Sequence, residues 1–335
     1  MNQQRVLITG GYGCIGAATA KWLLANTDAH VVICSRSVNS TRAQHVFHDS
    51  DLSRIAFIEA DVRDQNRLEQ ILVDQEITSV AHMAALQTPE CNAHRDRGLQ
   101  VNLAGTQNLI EAMKSSGQEF DRFVFISSVA VYGPRASYPP GRVPMLAEPD
   151  PVNAYGAFKL AGELISKFFS QDTGVPVISV RPALLFGPGR NRGLTASPTT
   201  AIKCLALDLP FEIPFRSRQD YQSTPDVGAA VGTTIIEPFD GYGVFTLPSH
   251  SIDTEEIVNV LRDAADELGI AEQFKISAGD EEVPFICDLD YQPFTEAYPN
   301  VPHTSIAQAM HKSLQFFLME VQQGRLTKED VCQTV

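Results

Sequence analysis

Val6-Leu7-Ile8-Thr9-Gly10-Gly11-Tyr12-Gly13-Cys14-Ile15-Gly16 joins a short apolar run to three glycines spaced three apart, and residues 15–25 continue as an amphipathic stretch. The run suits a buried strand, the stretch suits a helix, and the glycines fall at the turn between them. Gly10 fits the tight turn, Gly13 leaves the backbone open to a pyrophosphate, and Gly16 lets helix and strand pack closely. Amide hydrogens and the positive helix end, with Cys14 and Ile15 in its first turn, would hold the phosphates. Gly10, Gly13, Cys14, Ile15 and Gly16 are therefore expected to bind a dinucleotide.

The same strand-then-helix alternation continues downstream. Apolar runs at residues 31–34, 56–59, 79–82, 123–127 and 177–181 are separated by helical stretches that include 66–75, 102–115 and 155–170. Six strands with intervening helices predict an α/β fold, a Rossmann-type doubly wound parallel sheet whose ligands lie beyond the carboxyl ends of its strands. The dinucleotide-binding domain is expected over residues 1–181. Past it the alternation weakens; a short strand at 243–247 and helices at 253–268 and 305–323 suggest a smaller C-terminal lobe. That lobe, 182–335, is expected to bind mainly substrate, with room for the chain to return to the first domain. Six prolines from Pro134 to Pro151 exclude a helix or central strand there and predict a loop.

The end of the second strand bears on the cofactor. A site for NAD normally presents Asp or Glu there, to accept hydrogen bonds from the adenosine ribose. Ser35-Arg36 stands in this place. A hydroxyl and a guanidinium can bind the extra phosphate of NADP, which a carboxylate would repel, so NADP is favoured over NAD.

Bulk properties exclude several classes. The 335 residues carry a formal net charge of −14, which would repel nucleic-acid backbones and anionic membranes. Hydrophobic content of 44% and charged content of 20% suit a globular core. The six cysteines are far apart and form no C-x-x-C pair, so buried free thiols are expected and no metal site. Neither a signal peptide nor an apolar run of membrane-spanning length is visible, and a cytoplasmic location is expected.

Tyr155 and Lys159 stand four apart, on one face of a helix whose Phe158, Leu160, Ala161, Leu164 and Ile165 can meet a core. Tyrosine, with a free pKa of about 10, is a poor base at neutral pH, and a nearby ammonium favours its phenolate. Ser127 and Ser128 close the fifth strand, where a hydroxyl can hydrogen-bond a substrate oxygen.

With these residues in order, the chain resembles an extended short-chain dehydrogenase/reductase of the NAD(P)-dependent epimerase/dehydratase family. The resemblance is carried by Thr9 to Gly16, Asp61-Val62-Arg63, His82-Met83-Ala84-Ala85, Asn102-Leu103-Ala104-Gly105-Thr106, Ser127 to Gly133, Tyr155 to Lys159, and Arg181-Pro182 to Phe186-Gly187-Pro188. It implies that Tyr155 is the catalytic acid or base, that Lys159 lowers its pKa and holds the nicotinamide ribose, and that Ser128 binds the reacting oxygen. It also implies that Asp61 and Val62 contact adenine, that Ala84, Ala85 and Gln87 line the cofactor, that Asn102 orders the strand ends beside it, and that Pro182 sits by the carboxamide. His82 reads as structural. Relatives pair through the helix carrying the tyrosine, so a homodimer is expected, with Phe168 and Phe169 offering apolar surface.

The chain also departs from the family pattern. Nucleotide-sugar enzymes commonly carry an asparagine where Leu184 stands, and a phosphate-binding arginine where Gln219 stands. Arg216, Arg218, Arg190 and Arg192 offer alternative cations. The Asp-Glu pair of the dehydratases is replaced by Val129-Ala130. The expected activity is thus hydride transfer to or from a hydroxylated small molecule (a sugar, sugar acid, polyol or hydroxy acid) with a Ser128-Tyr155-Lys159 site. The alternatives are a nucleotide-sugar epimerase acting through a transient ketone and a non-catalytic nucleotide-sensing module.

Overall fold

A computed structural model of the chain describes residues 4–47, 50, 52–193 and 195–332. Its strands are β1 (Arg5–Thr9), β2 (His30–Ser35), β3 (Ile55–Glu59), β4 (Ser79–His82), β5 (Arg122–Ile126), β6 (Val177–Arg181), β7 (Leu184–Phe186), β8 (Phe211–Ile213), β9 (Arg218–Ser223), β10 (Tyr242–Thr246), β11 (His250–Asp253) and β12 (Ile276–Ala278). Seven of them form one parallel sheet in the order β10-β6-β5-β4-β1-β2-β3. The chain runs outward from β1 in one direction to β3 and then from β4 in the other, which is the doubly wound pattern.

β1 lies between β2 and β4, and its apolar residues divide between two cores. Val6 and Ile8 face one layer together with Ile33, Leu23 and Val231, whereas Leu7 joins Val32, Leu72, Val80 and Leu109 on the opposite side. This period-two division within a continuous apolar run is what a strand covered by helices on both faces requires.

The strand expected at 243–247 belongs to this sheet and not to the smaller lobe. β10 pairs in parallel with β6, placing Tyr242 beside Val177 and Thr246 beside Arg181. The preceding helix, Thr224–Ile236, packs on the helix Cys14–Asn26, with Gly228 against Ala18 and Gly232 against the Trp22 ring. A local apolar pattern specifies a strand but not its partner, so this return of the chain left no periodic signal.

The remaining strands form two small sheets. β9 pairs with β11 antiparallel and with β7 parallel, while β12 pairs with β8. Helices Ser197–Ala206, Thr254–Glu267 and Ile306–Gln322 enclose a second core containing Phe186, Ile202, Tyr221, Leu261 and Leu314. The proline-rich segment is a loop apart from the short turn Arg135–Ser137, and Val143 ties it to Leu289 through an isolated bridge. Among the described residues no helix is long and apolar enough to cross a membrane.

Candidate active site

A cleft of about 540 Å³ opens beyond the carboxyl ends of β1 to β6, with further walls from residues after β6. At its floor, Gly10 adopts φ +69°, and a Cβ at Gly16 would lie 2.8 Å from the Gly10 carbonyl oxygen. The turn therefore requires small residues for both reasons anticipated. The helix Cys14–Asn26 starts at exposed Gly13, without a side-chain cap and without an acidic residue in its first turn. Its amides and positive end are open to an anion, so the turn fits a dinucleotide pyrophosphate.

The neighbouring backbone is fixed by a buried relay. Thr106 Oγ1 donates to the Asn102 carbonyl at 2.7 Å, leaving His82 Nε2–H to donate to Thr106 at 3.1 Å. His82 Nδ1 then accepts from Thr9 Oγ1 at 2.8 Å, and Thr9 Oγ1 accepts from the amides of Met83 and Ala84, each at 3.1 Å. These directions require a neutral imidazole. Burial, with the Lys159 charge adding to it, pushes the His82 pKa down to about 3, in agreement. His82 thus holds the ends of β1 and β4 together.

Ser35 and Arg36 reach the cleft from the end of β2, and Asp61 and Val62 from the end of β3. Arg63 grips Asp61 with Nε–Oδ1 and Nη2–Oδ2 contacts of 3.0 and 2.7 Å, and this hydrogen bonding lowers the Asp61 pKa. Ala84, Ala85, Gln87 and Pro182 also line the cleft. Asn102 does not. It is buried, and its side-chain amide accepts from the Leu86 amide at 2.7 Å and donates to the Leu86 carbonyl at 2.9 Å. It shapes the wall from behind.

Ser128, Tyr155 and Lys159 meet on the cleft wall. Asn153 caps the helix Ala154–Thr173 by accepting from the Gly156 amide, so Tyr155 lies in the first turn and Lys159 one turn later. Ser128 is the N-cap of the short turn Val129–Val131, its hydroxyl accepting from the Ala130 amide at 3.1 Å, and it lines the cleft together with Tyr155. The adjacent Ser127 is committed elsewhere, donating to Glu163 Oε1 at 2.5 Å. Glu163 also receives Arg181 through Nε at 2.7 Å and Nη2 at 2.6 Å, and Arg181 Nη1 continues to the Tyr132 hydroxyl at 2.7 Å. This buried network pins the helix to the ends of β5 and β6.

The electrostatics differ from expectation at Tyr155. Burial raises its pKa, and the opposing influences are the Ser128 hydroxyl and the Arg190 guanidinium, not Lys159. Lys159 is 4% exposed and turns its ammonium to the Ile126 carbonyl at 2.5 Å, lying 5.8 Å from the Tyr155 ring centre. Burial lowers its own pKa to about 8, against the influence of Cys91 and Glu163.

Of the four arginines named as alternative cations, Arg190 and Arg192 line the cleft. Arg216 pairs instead with Glu255, and Arg218 with Asp288 and Asp253. Gln219 and Leu184 are also cleft residues. Pro284, Phe285 and Ile286, from a segment without regular structure, complete the wall. No sequence signal marked them, because their place depends on contacts such as Val283 N to Ser217 Oγ at 3.1 Å, across 66 residues.

The family model described as the NAD dependent epimerase/dehydratase family matches residues 6–220. A D-erythronate dehydrogenase of Cupriavidus necator is 33% identical over 193 residues, covering 53% of this chain and 56% of that protein. A dTDP-L-rhamnose 4-epimerase of Burkholderia thailandensis is 27% identical over 285 residues, covering 73% of this chain and 77% of that protein. The Thermus thermophilus UDP-glucose 4-epimerase, solved in complex with NAD, has the same fold, with a TM-score of 0.77 at 21% identity over 94% of this chain and 99% of that one. The chain thus spans about half the length of the first of these curated relatives.

Proposed function

The chain belongs to the NAD dependent epimerase/dehydratase family, and from that premise we propose that it is an NAD(P)-dependent oxidoreductase moving a hydride to or from a hydroxylated small molecule. The observation that carries this reading is the meeting of Ser128 and Tyr155 on the cleft wall, with Lys159 one turn behind. Ser128 and Tyr155 hold the reacting oxygen, and Tyr155 Oη takes or gives its proton. When bound, the nicotinamide supplies the hydride acceptor or donor. Lys159 fixes the ribose edge of the site, and Pro182, Ala84, Ala85 and Gln87 bound the space beside it.

Ser35 and Arg36 support NADP over NAD, since neither brings a carboxylate to the adenosine ribose. Among solved relatives of this fold, the Thermus enzyme holds NAD. Dissociation constants for both cofactors decide between them: the reading expects tighter NADP, and Arg36→Ala should remove that preference.

Incubation with oxidised cofactor and a panel of sugars, sugar acids, polyols and hydroxy acids, read as reduced-nicotinamide absorbance, tests the reaction. Absorbance growth is expected. Silence across the panel, together with turnover of a nucleotide sugar without net cofactor reduction, would establish the epimerase reading suggested by the Burkholderia relative. A homodimer is part of the proposal. Leu164 and Phe168, 50% and 57% exposed, offer apolar surface on the helix Ala154–Thr173, while Phe169 is core. Sedimentation should give twice the chain mass. A cytoplasmic location fits the free cysteines.

A further inference from the structure

Four arginines outside the cleft lining have a carboxylate partner within the chain. Arg181 holds Glu163, Arg218 holds Asp288, Arg135 lies 3.5 Å from Asp288, and Arg63 holds Asp61. Arg190 lines the cleft itself. Its Nη2 donates to Thr195 Oγ1 at 3.0 Å, but among the described residues it has no acidic partner, and its buried Nε has no acceptor. A guanidinium held this way, in a chain with 40 acidic and 26 basic residues, is matched to an anion from outside.

A second orphan donor lines the same cleft. Gln219, on β9, is 2% exposed, and its Nε2 has no acceptor. The adjacent Asp220 does not supply one; its carboxylate accepts instead from the Ser251 hydroxyl and from the amides of Asp288 and Leu289 at 2.9 and 3.0 Å. Unpaired buried donors are costly unless a ligand completes them.

We propose that Arg190 and Gln219 form the recognition site for a substrate carboxylate, making the proposed oxidoreductase selective for small hydroxy acids over neutral polyols and nucleotide sugars. The inference rests on that oxidoreductase reading for its substrate class. The chemistry fits a carboxylate in particular. A guanidinium presents a flat fork of donors to two oxygens, and the neutral amide of Gln219 adds donors without adding charge. Leu184 adds no polar side-chain atom, and Phe285 and Ile286 add apolar lining to the same cleft. Arg190 lies close enough to Tyr155 for its charge to favour the phenolate, so the carboxylate site and the proton-transfer site are neighbours.

The test compares acids with polyols of the same carbon skeleton, namely glycerate with glycerol, erythronate with erythritol, and gluconate with glucitol. The wild-type enzyme should prefer one of the acids. Arg190→Met and Gln219→Leu should each raise KM for that acid by roughly tenfold to a hundredfold, the loss expected for one charge-assisted or orphaned hydrogen bond, and erode the preference. Arg190→Lys, which keeps the charge and loses the fork, should fall between. Arg218→Met, outside the cleft, should retain the preference. Cofactor dissociation constants should stay within about twofold of wild type in all variants that fold, by the same arithmetic.

Any of four results would overturn the assignment. If cofactor affinity falls with the Arg190 substitutions while acid preference persists, the guanidinium serves the cofactor phosphates. If UDP shifts the melting temperature of the cofactor-loaded protein and the acids do not, the donors serve a diphosphate. Preference for a neutral polyol or sugar would refute the carboxylate site while leaving the oxidoreductase reading intact. Turnover of a nucleotide sugar alone would remove both.

Discussion

Lys159 donates from Nζ to the carbonyl oxygen of Ile126 at 2.5 Å, so a buried ammonium is joined to the last residue of β5. Its pKa is lowered from 10.5 to about 8 chiefly by burial, a shift worth roughly 3 kcal/mol at about 1.4 kcal/mol per unit. The sign follows from linkage. The folded state resists the proton more than the unfolded chain does, so the cost is fully present below pH 8 and is relieved as pH rises from 8 to 10.5. Denaturant unfolding of wild type and Lys159→Met across that window should show wild type gaining on the variant by up to that amount. A constant difference would mean that the ammonium is not buried.

His82 carries the same sign, but its window lies on the acid side. Burial lowers its pKa from 6.5 to about 3, so the unfolded chain takes up a proton that the folded chain refuses between those values. Its contribution is present above pH 6.5 and is lost as pH falls toward 3, up to about 5 kcal/mol. His82→Gln should flatten the acid limb of the stability profile, measured by urea unfolding, even if it lowers stability at pH 7.

Gly156 lies where the helix of Tyr155 crosses the turn after Ser128. A Cβ there would stand 2.1 Å from the Ala130 carbonyl oxygen. Gly156→Ala must separate the two segments and so pull Tyr155 from Ser128. Activity should fall at least about tenfold with cofactor affinity retained, since misplacement of a reacting group by about 1 Å costs up to about a hundredfold. Steady-state kinetics and a cofactor titration check this.

Glu163 accepts two nitrogens of Arg181 and the Ser127 hydroxyl while buried. Removing it strands a guanidinium, and loss of one member of a buried pair typically costs about 3–5 kcal/mol. Glu163→Ala should therefore be strongly destabilised in thermal unfolding. The double variant Glu163→Met with Arg181→Met should recover part of the loss, because it leaves no buried charge unpaired.

Local chemistry was legible in the sequence. The glycine turn and the strands β1 to β6 depend on residues close together in the chain, and apolar periodicity reports on such neighbours. The partner of β10 was not legible, since pairing Tyr242 with Val177 depends on a crossover of 65 residues. Nor was the orientation of Lys159, whose position on the helix was foreseen but whose ammonium faces Ile126. Gln219 looked like a lost phosphate contact; only its burial and its unmatched Nε2 make it a donor in search of an acceptor. Asn102 was placed with the cofactor residues, and its bonds to Leu86 put it one layer back.

The central claim is that Tyr155 transfers the substrate proton. Tyr155→Phe removes only the hydroxyl, so cofactor binding should persist while kcat/KM for the best substrate of the panel falls by roughly 10²–10⁴, the range for a positioned acid or base. Cofactor titration and nicotinamide absorbance on the same preparation measure both. Unchanged turnover by Tyr155→Phe, with the cofactor bound, would contradict the account.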